Sequence, residues 1–290
     1  MESQKDLAIV LRSVFYEERH RIITALTEHH GQVSALAKNS VQSRRFGGSL
    51  DLFVASEWLF QIKPNVELYQ LTEAHVRQSF DQLRVDFKKL SLASTLNEYI
   101  MRIAPQNEAC SDLFRLHSNA LFTLNSIPLQ PGQEILFLNS YLVKLLQWSG
   151  NQPQIKTCLK CSCSVHDILS EAELSCLIAD AGWICPRCRK NDTRHILRDS
   201  FQQTSFEHSL LRVKPGALLD FEISLHTPIR QAFQCMKAST QDHQELFKWI
   251  EGLFVFHIPG FDRRPIKSLR FLDLQSIWQH PTKNEQSTWV

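Results

Sequence analysis

A-I-V-L-R-S-V-F-Y, from Ala8 to Tyr16, is followed by R-I-I-T-A-L-T-E from Arg21 and G-Q-V-S-A-L-A-K from Gly31. Branched and aromatic residues dominate these runs, and L-D-L-F-V-A-S from Leu50 and W-L-F-Q-I from Trp58 have the same texture. His30-Gly31 predicts a turn between the second and third runs, Ser43 to Gly48 a loop, and Glu57 a brief break before the last. Five short strands ahead of Lys63 predict a small barrel. An OB-type barrel fits best, because SH3-like barrels of this length carry tighter, glycine-marked hairpins.

The texture changes after Leu71. In T-E-A-H-V-R-Q-S-F-D-Q-L-R-V-D-F-K-K-L the apolar residues recur at three and four, which predicts an amphipathic helix with Val76, Phe80, Leu83 and Phe87 on one face. Thr72 and Glu73 would supply its cap and first-turn acid. Further helices are expected from Leu92 to Ile103, from about Cys110 to Ile127, and from Pro131 to near Gly150, with that proline and glycine as punctuation. Helical texture resumes from about Ser200 through Phe201, Leu210 and Leu211, again from Leu218, and from His243 to Phe256. The expected fold class is α+β and multidomain: an OB-fold barrel over 1–70, a helical domain over 71–154 and 191–281, a four-cysteine insert over 155–190, and a polar tail over 282–290.

The insert carries the sharpest chemistry. Cys158 and Cys161 (C-L-K-C) and Cys185 and Cys188 (C-P-R-C) are two pairs with the spacing of one tetrahedral S4 site. Four thiolates leave no open coordination position, so the pattern points to one structural zinc per chain rather than to a metallohydrolase. An iron-sulfur cluster is the other metal such ligands can hold. Cys163 can substitute for Cys161 or pair with Cys176, and His166 is a further substitute ligand. Free, buried or redox-active thiols are the alternative.

Across 290 residues the formal charge is only +2, so any polyanion site must come from local clustering. Eight cysteines are too few for a disulfide scaffold of this length. Their pairing, and a polar start without a secretory leader, predict a reducing cytoplasm. No apolar run approaches the roughly 20 residues needed to cross a bilayer. Twelve histidines invite a catalytic reading, but none sits in an H-E-x-x-H or H-x-E frame. Neither G-x-x-x-x-G-K-[ST] nor G-x-G-x-x-G occurs, so no nucleotide cofactor is expected.

Several patches resemble the RecO family of bacterial recombinational-repair mediators and arrive in that family's order. They are Ala8 to Gly31, Ala37 to Leu50, L-T-E-A-H-V-R-Q-S-F-D-Q-L-R from Leu71, W-S-G-N-Q-P from Trp148, both cysteine pairs, and R-R-P-I-K-S-L-R-F-L from Arg263. The resemblance implies an OB fold, a helical body and a zinc-finger-like insert. It also implies a non-enzymatic role: binding single- and double-stranded DNA, annealing strands, and associating with RecR and the C-terminal tail of the single-strand-binding protein to load RecA on gapped DNA. Nucleoid association would follow. Ser162 stands where the family pattern leads to glycine, and Ala181-Gly182 where it leads to a glycine pair.

A sequence-tolerant DNA binder needs cations along a groove and flat rings on which bases stack. Arg12, Arg19, Arg21, Lys38, Arg44 and Arg45 supply the charge, and Gly31 to Leu50 contains no acid. Phe15 and Tyr16 are either stacking partners or barrel filling, whereas Phe46, in a loop beside two arginines, is the favoured stacking residue. Arg187, Arg189 and Lys190, followed by Arg194 and Arg198 with Asp192 as the nearby acid, form a second group that either meets phosphates or is ordinary solvated surface. A third group, Arg263, Arg264, Lys267 and Arg270 among Phe261, Ile266 and Leu269, suits an acidic peptide tail, DNA or simple packing. The competing reading from another class is a zinc-ribbon protein-interaction scaffold without direct DNA binding.

Overall fold

The computed structural model describes residues 2–62, 68–191, 210–272 and 274. The chain divides into two compact units, with the boundary between Leu129 and Gln130. In the first unit, β1 (Glu2–Tyr16), β2 (His20–Thr27), β3 (Gly31–Ala37), β4 (Val54–Ile62) and β5 (Leu68–Ser79) close into a barrel in the order β1-β2-β3-β5-β4. The β3–β5 pair is parallel and the other pairs are antiparallel. Small residues from β1, β2, β3 and β5 (Ala8, Ala25, Ala35, Ala74) leave room inside for Trp58, Phe60, Tyr69 and Phe46. Such a small-and-large mixture fills a narrow barrel without voids.

β1 serves two partners. Its first half pairs with β4 as far as Ile9, its second half pairs with β2 from Ala8 onward, and the two ladders overlap at Ala8 and Ile9. Between Val10 and Arg12 the register with β2 shifts, leaving Leu11 as a bulge. The freed Leu11 carbonyl accepts a hydrogen bond from Asn97 Nδ2 at 3.0 Å, and Asn97 Oδ1 lies 3.1 Å from His117 Nε2.

The predicted helix from Leu71 is instead strand β5, and the two runs from Leu50 and Trp58 merge largely into the single strand β4. The register between β4 and β5 shifts where Leu59 faces Glu73 and Phe60 faces Leu71, so Leu71 and Ala74 both point inward although they are three apart. That bulge reproduces a helical spacing in a strand. Val76 and Phe87 are exposed, while Phe80 and Leu83 are buried. The barrel therefore runs past position 70, and its last strand ends at Ser79.

Helices α1 (Gln82–Val85), α2 (Phe87–Ile103) and α3 (Ser111–Ser126) complete the first unit. Asp86 caps α2 by accepting from the amides of Lys88 at 2.8 Å and Lys89 at 3.1 Å. Gly31 (φ +62°) lies so close to this region that a Cβ there would meet the Pro105 carbonyl oxygen at 2.3 Å.

In the second unit, α4 (Gln133–Trp148) packs against α6 (Pro215–His226), α7 (Ile229–Cys235) and α8 (Thr240–His257). Here too lies a three-stranded antiparallel sheet, β7-β6-β8, built from β6 (Leu174–Leu177), β7 (Gly182–Ile184) and β8 (Leu210–Val213). Leu210 and Leu211 thus belong to a strand rather than to the expected helix. The Ser200–Phe201 start of that helix and the 282–290 tail lie outside the described residues. Buried Asp220 fastens α6 to the turn before α8, accepting from the amides of Lys237 and Ala238 and from His243 Nε2 at 3.0 Å.

Complete burial pushes the His117 imidazole down to about 3, so in the folded protein it is neutral at ordinary pH. The unfolded chain binds a proton there below about pH 6.5, and the folded chain does not until about 3. Stability contributed by this residue is therefore complete above about pH 6.5 and falls as the pH drops toward 3. Chemical denaturation should find this contribution about 2 kcal/mol smaller at pH 5 than at pH 7. His117→Gln should flatten the difference by about that amount.

Candidate metal centre and nucleic-acid interface

Cys158, Cys161, Cys185 and Cys188 converge so that their sulfurs all lie within 4.8 Å of one another, a set able to hold one metal ion. Two tight turns bring them together. Ser162 N donates to Cys158 O at 3.0 Å, and the short helix α5 (Pro186–Lys190) carries Cys188, its Arg189 amide bonding Cys185 O at 3.0 Å. Backbone amides of Lys160 and Cys185 point at Cys158 Sγ (3.4 and 3.3 Å), and Cys188 N points at Cys185 Sγ (3.4 Å). Such N–H···S contacts favour thiolates and fix the directions of their lone pairs.

The thiols do not ionise alike. Hydrogen bonds from the Cys163 backbone and side chain, then from Cys188, bring Cys161 down to about 6. Its hydrogen bond with Cys161, followed by burial and a bond with Cys185, pushes Cys188 up to about 12. Four thiolates crowded this closely repel one another unless a cation sits among them, which is what the donor set accommodates. Burial first, and then hydrogen bonds with Cys161 and Cys185, raises Cys163 to about 12. Cys176 is fully buried in β6. His166 lies 3.6 Å from Glu222 and is not among the four convergent ligands.

Ser162 and Ala181 adopt left-handed backbone, with φ of +57° and +44°. Each places a Cβ where only glycine is free of strain. Gly182, the retained glycine, has the Leu159 side chain 2.8 Å from where a Cβ would stand.

A second convergence, Asp6 with Glu28 and His29, borders an open pocket at one end of the barrel. Its carboxylate is already engaged: Asp6 accepts from the amides of Leu7 (2.8 Å) and His29 (2.9 Å) and lies 2.9 and 2.7 Å from the rings of His29 and His30. Burial opposes ionisation of Asp6, but these bonds, led by that from His30, hold it below the usual carboxylate range. The arrangement pins the β2–β3 turn.

The expected DNA-contacting residues divide sharply. Beyond the Leu11 bulge, Ser13 faces buried Ile23, and Phe15 faces Arg21 on the same side. Arg12, Val14 and Tyr16 consequently occupy the outer face. Outward rows then cross the sheet as Arg12–Thr24–Ser34 and Val14–Ile22–Leu36, with Tyr16 opposite His20. His20 Nδ1 accepts from the Asn39 amide at 2.8 Å, which brings exposed Lys38 to the same end. Arg21 is half-buried, bonded to Asp51 at 3.2 Å, with its guanidinium 4.9 Å from the centre of the Phe15 ring. Arg44 and Arg45 are exposed in the following loop.

Phe46 corrects the expectation. It is 3 % exposed and part of the barrel core, anchored where Ser49 Oγ donates to its carbonyl, with Arg45 over its ring. Phe15 (66 % exposed) and Tyr16 (46 %) are the available rings instead. Arg187 and Lys190 are exposed on α5 and Arg189 is half-buried, whereas Asp192, Arg194 and Arg198 lie outside the described residues. In the third basic group Phe261, Ile266 and Leu269 are buried and Arg264 pairs with Asp262, which favours packing there. The outer-face Tyr16–His20 pair and Val14 stripe had one signal in sequence, the run of three consecutive apolar residues Val14, Phe15 and Tyr16. Only the bulge reveals its direction.

The first unit is an OB-like barrel and the second a helical unit bearing four convergent cysteines. Residues 1–80 match the family model described as recombination protein O N terminal, and residues 84–200 match recombination protein O C terminal. The chain belongs to the RecO family of DNA repair proteins. It is 27 % identical over 226 residues to a DNA repair protein RecO of Acetivibrio thermocellus, covering 77 % of this chain and 85 % of that one. To the RecO of Desulfatibacillum aliphaticivorans it is 32 % identical over 184 residues, covering 62 % and 69 %. To that of Caldanaerobacter subterraneus it is 27 % identical over 191 residues, covering 66 % and 73 %.

Elemental analysis of the purified chain should find about one metal ion per molecule, lost in Cys185→Ser, because three thiolates bind a structural ion far less well than four. Ala181→Gly and Ser162→Gly should each slow metal release to a chelator, since removing a Cβ from left-handed backbone relieves about 1 kcal/mol. Faster release in either variant would contradict the strain.

Proposed function

We propose that this protein is a DNA-binding recombination mediator that acts by charge and stacking and makes or breaks no covalent bond. It binds single- and double-stranded DNA, anneals complementary strands and, with RecR and the single-strand-binding protein, helps load RecA on gapped DNA. Its cage holds zinc, the ion suited to four thiolates in a closed tetrahedral site. It works in the cytoplasm, at the nucleoid. Among the described residues no helix is long and apolar enough to cross a membrane.

Membership of the RecO family supports this reading. The observation that carries it is the outer face of β1, β2 and β3, the part of an OB barrel that meets oligonucleotides. Arg12 and Lys38 flank its apolar stripe, and Tyr16 and His20 offer rings at one end. Phosphates meet the cations and bases meet the rings, so binding needs no particular sequence. Annealing follows without chemistry, because neutralised strands repel less and pairing supplies the drive.

Polarisation with a mixed-sequence fluorescent single strand should show affinity falling steeply with salt. Arg12→Ala combined with Lys38→Ala should weaken binding and reduce the salt slope by about 1.4, the release of two counterions. An unchanged slope with an intact fold would move the site off this face.

A further inference from the structure

The end of β1 breaks the rule that a strand hides alternate residues. Val14, Phe15 and Tyr16 are consecutive, and all three are exposed, at 41 %, 66 % and 46 %. The pairing explains how. The ladder to β4 ends at Ile9, so from Arg12 to Tyr16 β1 is paired along one edge only, with β2. The Tyr16–His20 rung lies beyond Arg21–Ala37, the last rung that β2 makes with β3. Here the hairpin runs one rung past the three-stranded part, its β2 side bonded by Asn39 N to His20 Nδ1 at 2.8 Å and by Val41 N to Arg19 O at 3.3 Å, with a ring exposed on each face. Phe15 stands on the inner face with the Arg21 guanidinium 4.9 Å from its ring centre, and Tyr16 stands on the outer face opposite His20.

An exposed apolar edge is an aggregation hazard unless something occupies it. The surroundings say what that is. Each face offers a flat ring beside a nitrogen-bearing partner, and Arg12, Arg19 and Arg21 lie along the arm, with Glu17 and Glu18 at its tip, Glu17 3.4 Å from His20, and Asp51 3.2 Å from Arg21. Rings backed by cations suit nucleobases flanked by phosphates. A ribbon with one such ring per face suits two separate strands, one on each side.

Building on the DNA-binding reading above, we propose that the β1–β2 arm is a two-faced wedge for the junction between single- and double-stranded DNA. The terminal base of one strand stacks on Phe15 and that of the other on Tyr16. The outer face of the barrel carries the single strand onward from Tyr16, past Val14 and Ile22 to Arg12. The substrate class is a fork or gap edge rather than a uniform single strand, and the same seat holds two strands side by side before they pair.

The test uses the full chain and three oligonucleotide probes: a fork with 2-aminopurine at the first unpaired base of either arm, the matching single strand, and a blunt duplex. Wild-type protein should bind the fork at least about ten-fold tighter than the single strand, the scale of one or two stacked bases. The fluorescence of both labelled arms should change on binding. Phe15→Ala should abolish the change in one arm and Tyr16→Ala in the other. Phe15→Ala should keep single-strand affinity within about two-fold, Tyr16→Ala should lose about five-fold or more with its stacked base, and a circular dichroism melt should show both folded, since both side chains are exposed. If the variants retain both signals and the fork preference, or if wild-type protein binds fork and single strand equally, the wedge is overturned while DNA binding stands. If wild-type protein binds none of the three probes in dilute salt, the DNA-binding reading itself falls and the wedge with it.

Discussion

A single extra residue in β1 determines which way the candidate interface faces. Without the bulge at Leu11, strand alternation would turn Arg12, Val14 and Tyr16 inward and Phe15 outward. With it, Arg12 is available to solvent and Phe15 continues the inner row. The bulge leaves one carbonyl without a ladder partner, and Asn97 of α2 supplies the missing donor, oriented in turn by neutral His117 of α3. Two helices thereby lock a backbone irregularity in place, so the register of the arm depends on side chains more than eighty positions along the chain. The price is a histidine that must stay uncharged in the interior.

The second unit solves a different problem with the same economy of means. Strands β6, β7 and β8 are only three or four residues long, too short to hold a turn rigidly by ladder bonds alone. Trp183, fully buried, donates to Ile155 O at 2.7 Å, and Leu159 N reaches Trp183 O at 2.9 Å, so the two cysteine turns are tied to one another through β7. The four cysteine sulfurs, a set able to hold a metal ion, converge there. The left-handed Ser162 and Ala181 are tolerated because these bonds over-determine the local path.

Much of this was legible in the residues. The cysteine pairs announced one four-thiolate cage, and the helices ending before Pro105 and near Gly150 fell close to expectation, because caps and punctuation are local features. The barrel was legible as a class. Its last strand was not, since a bulge at Thr72 gives Leu71 and Ala74 the three-residue spacing of a helix. Phe46 misled for a related reason. Beside Arg44, Arg45 and two glycines it reads as exposed loop, yet the small alanines across the barrel leave a volume that only a distant aromatic can fill. Such volume complementarity is set by residues from several strands and has no signature in any one segment. The direction of Phe15 and Tyr16 depends on the Leu11 bulge in the same way.

The central claim is that nucleic acid lies across the outer face of β1, β2 and β3 and reaches the tip of the β1–β2 arm. Amide hydrogen exchange of the full chain, with and without a saturating single-stranded oligonucleotide, tests it most directly because it reports every segment at once. Slowed exchange should be concentrated in Arg12 to Thr24 and in the β3 end through Lys38. Protection confined to the four-cysteine insert, or none in the barrel, would contradict the account.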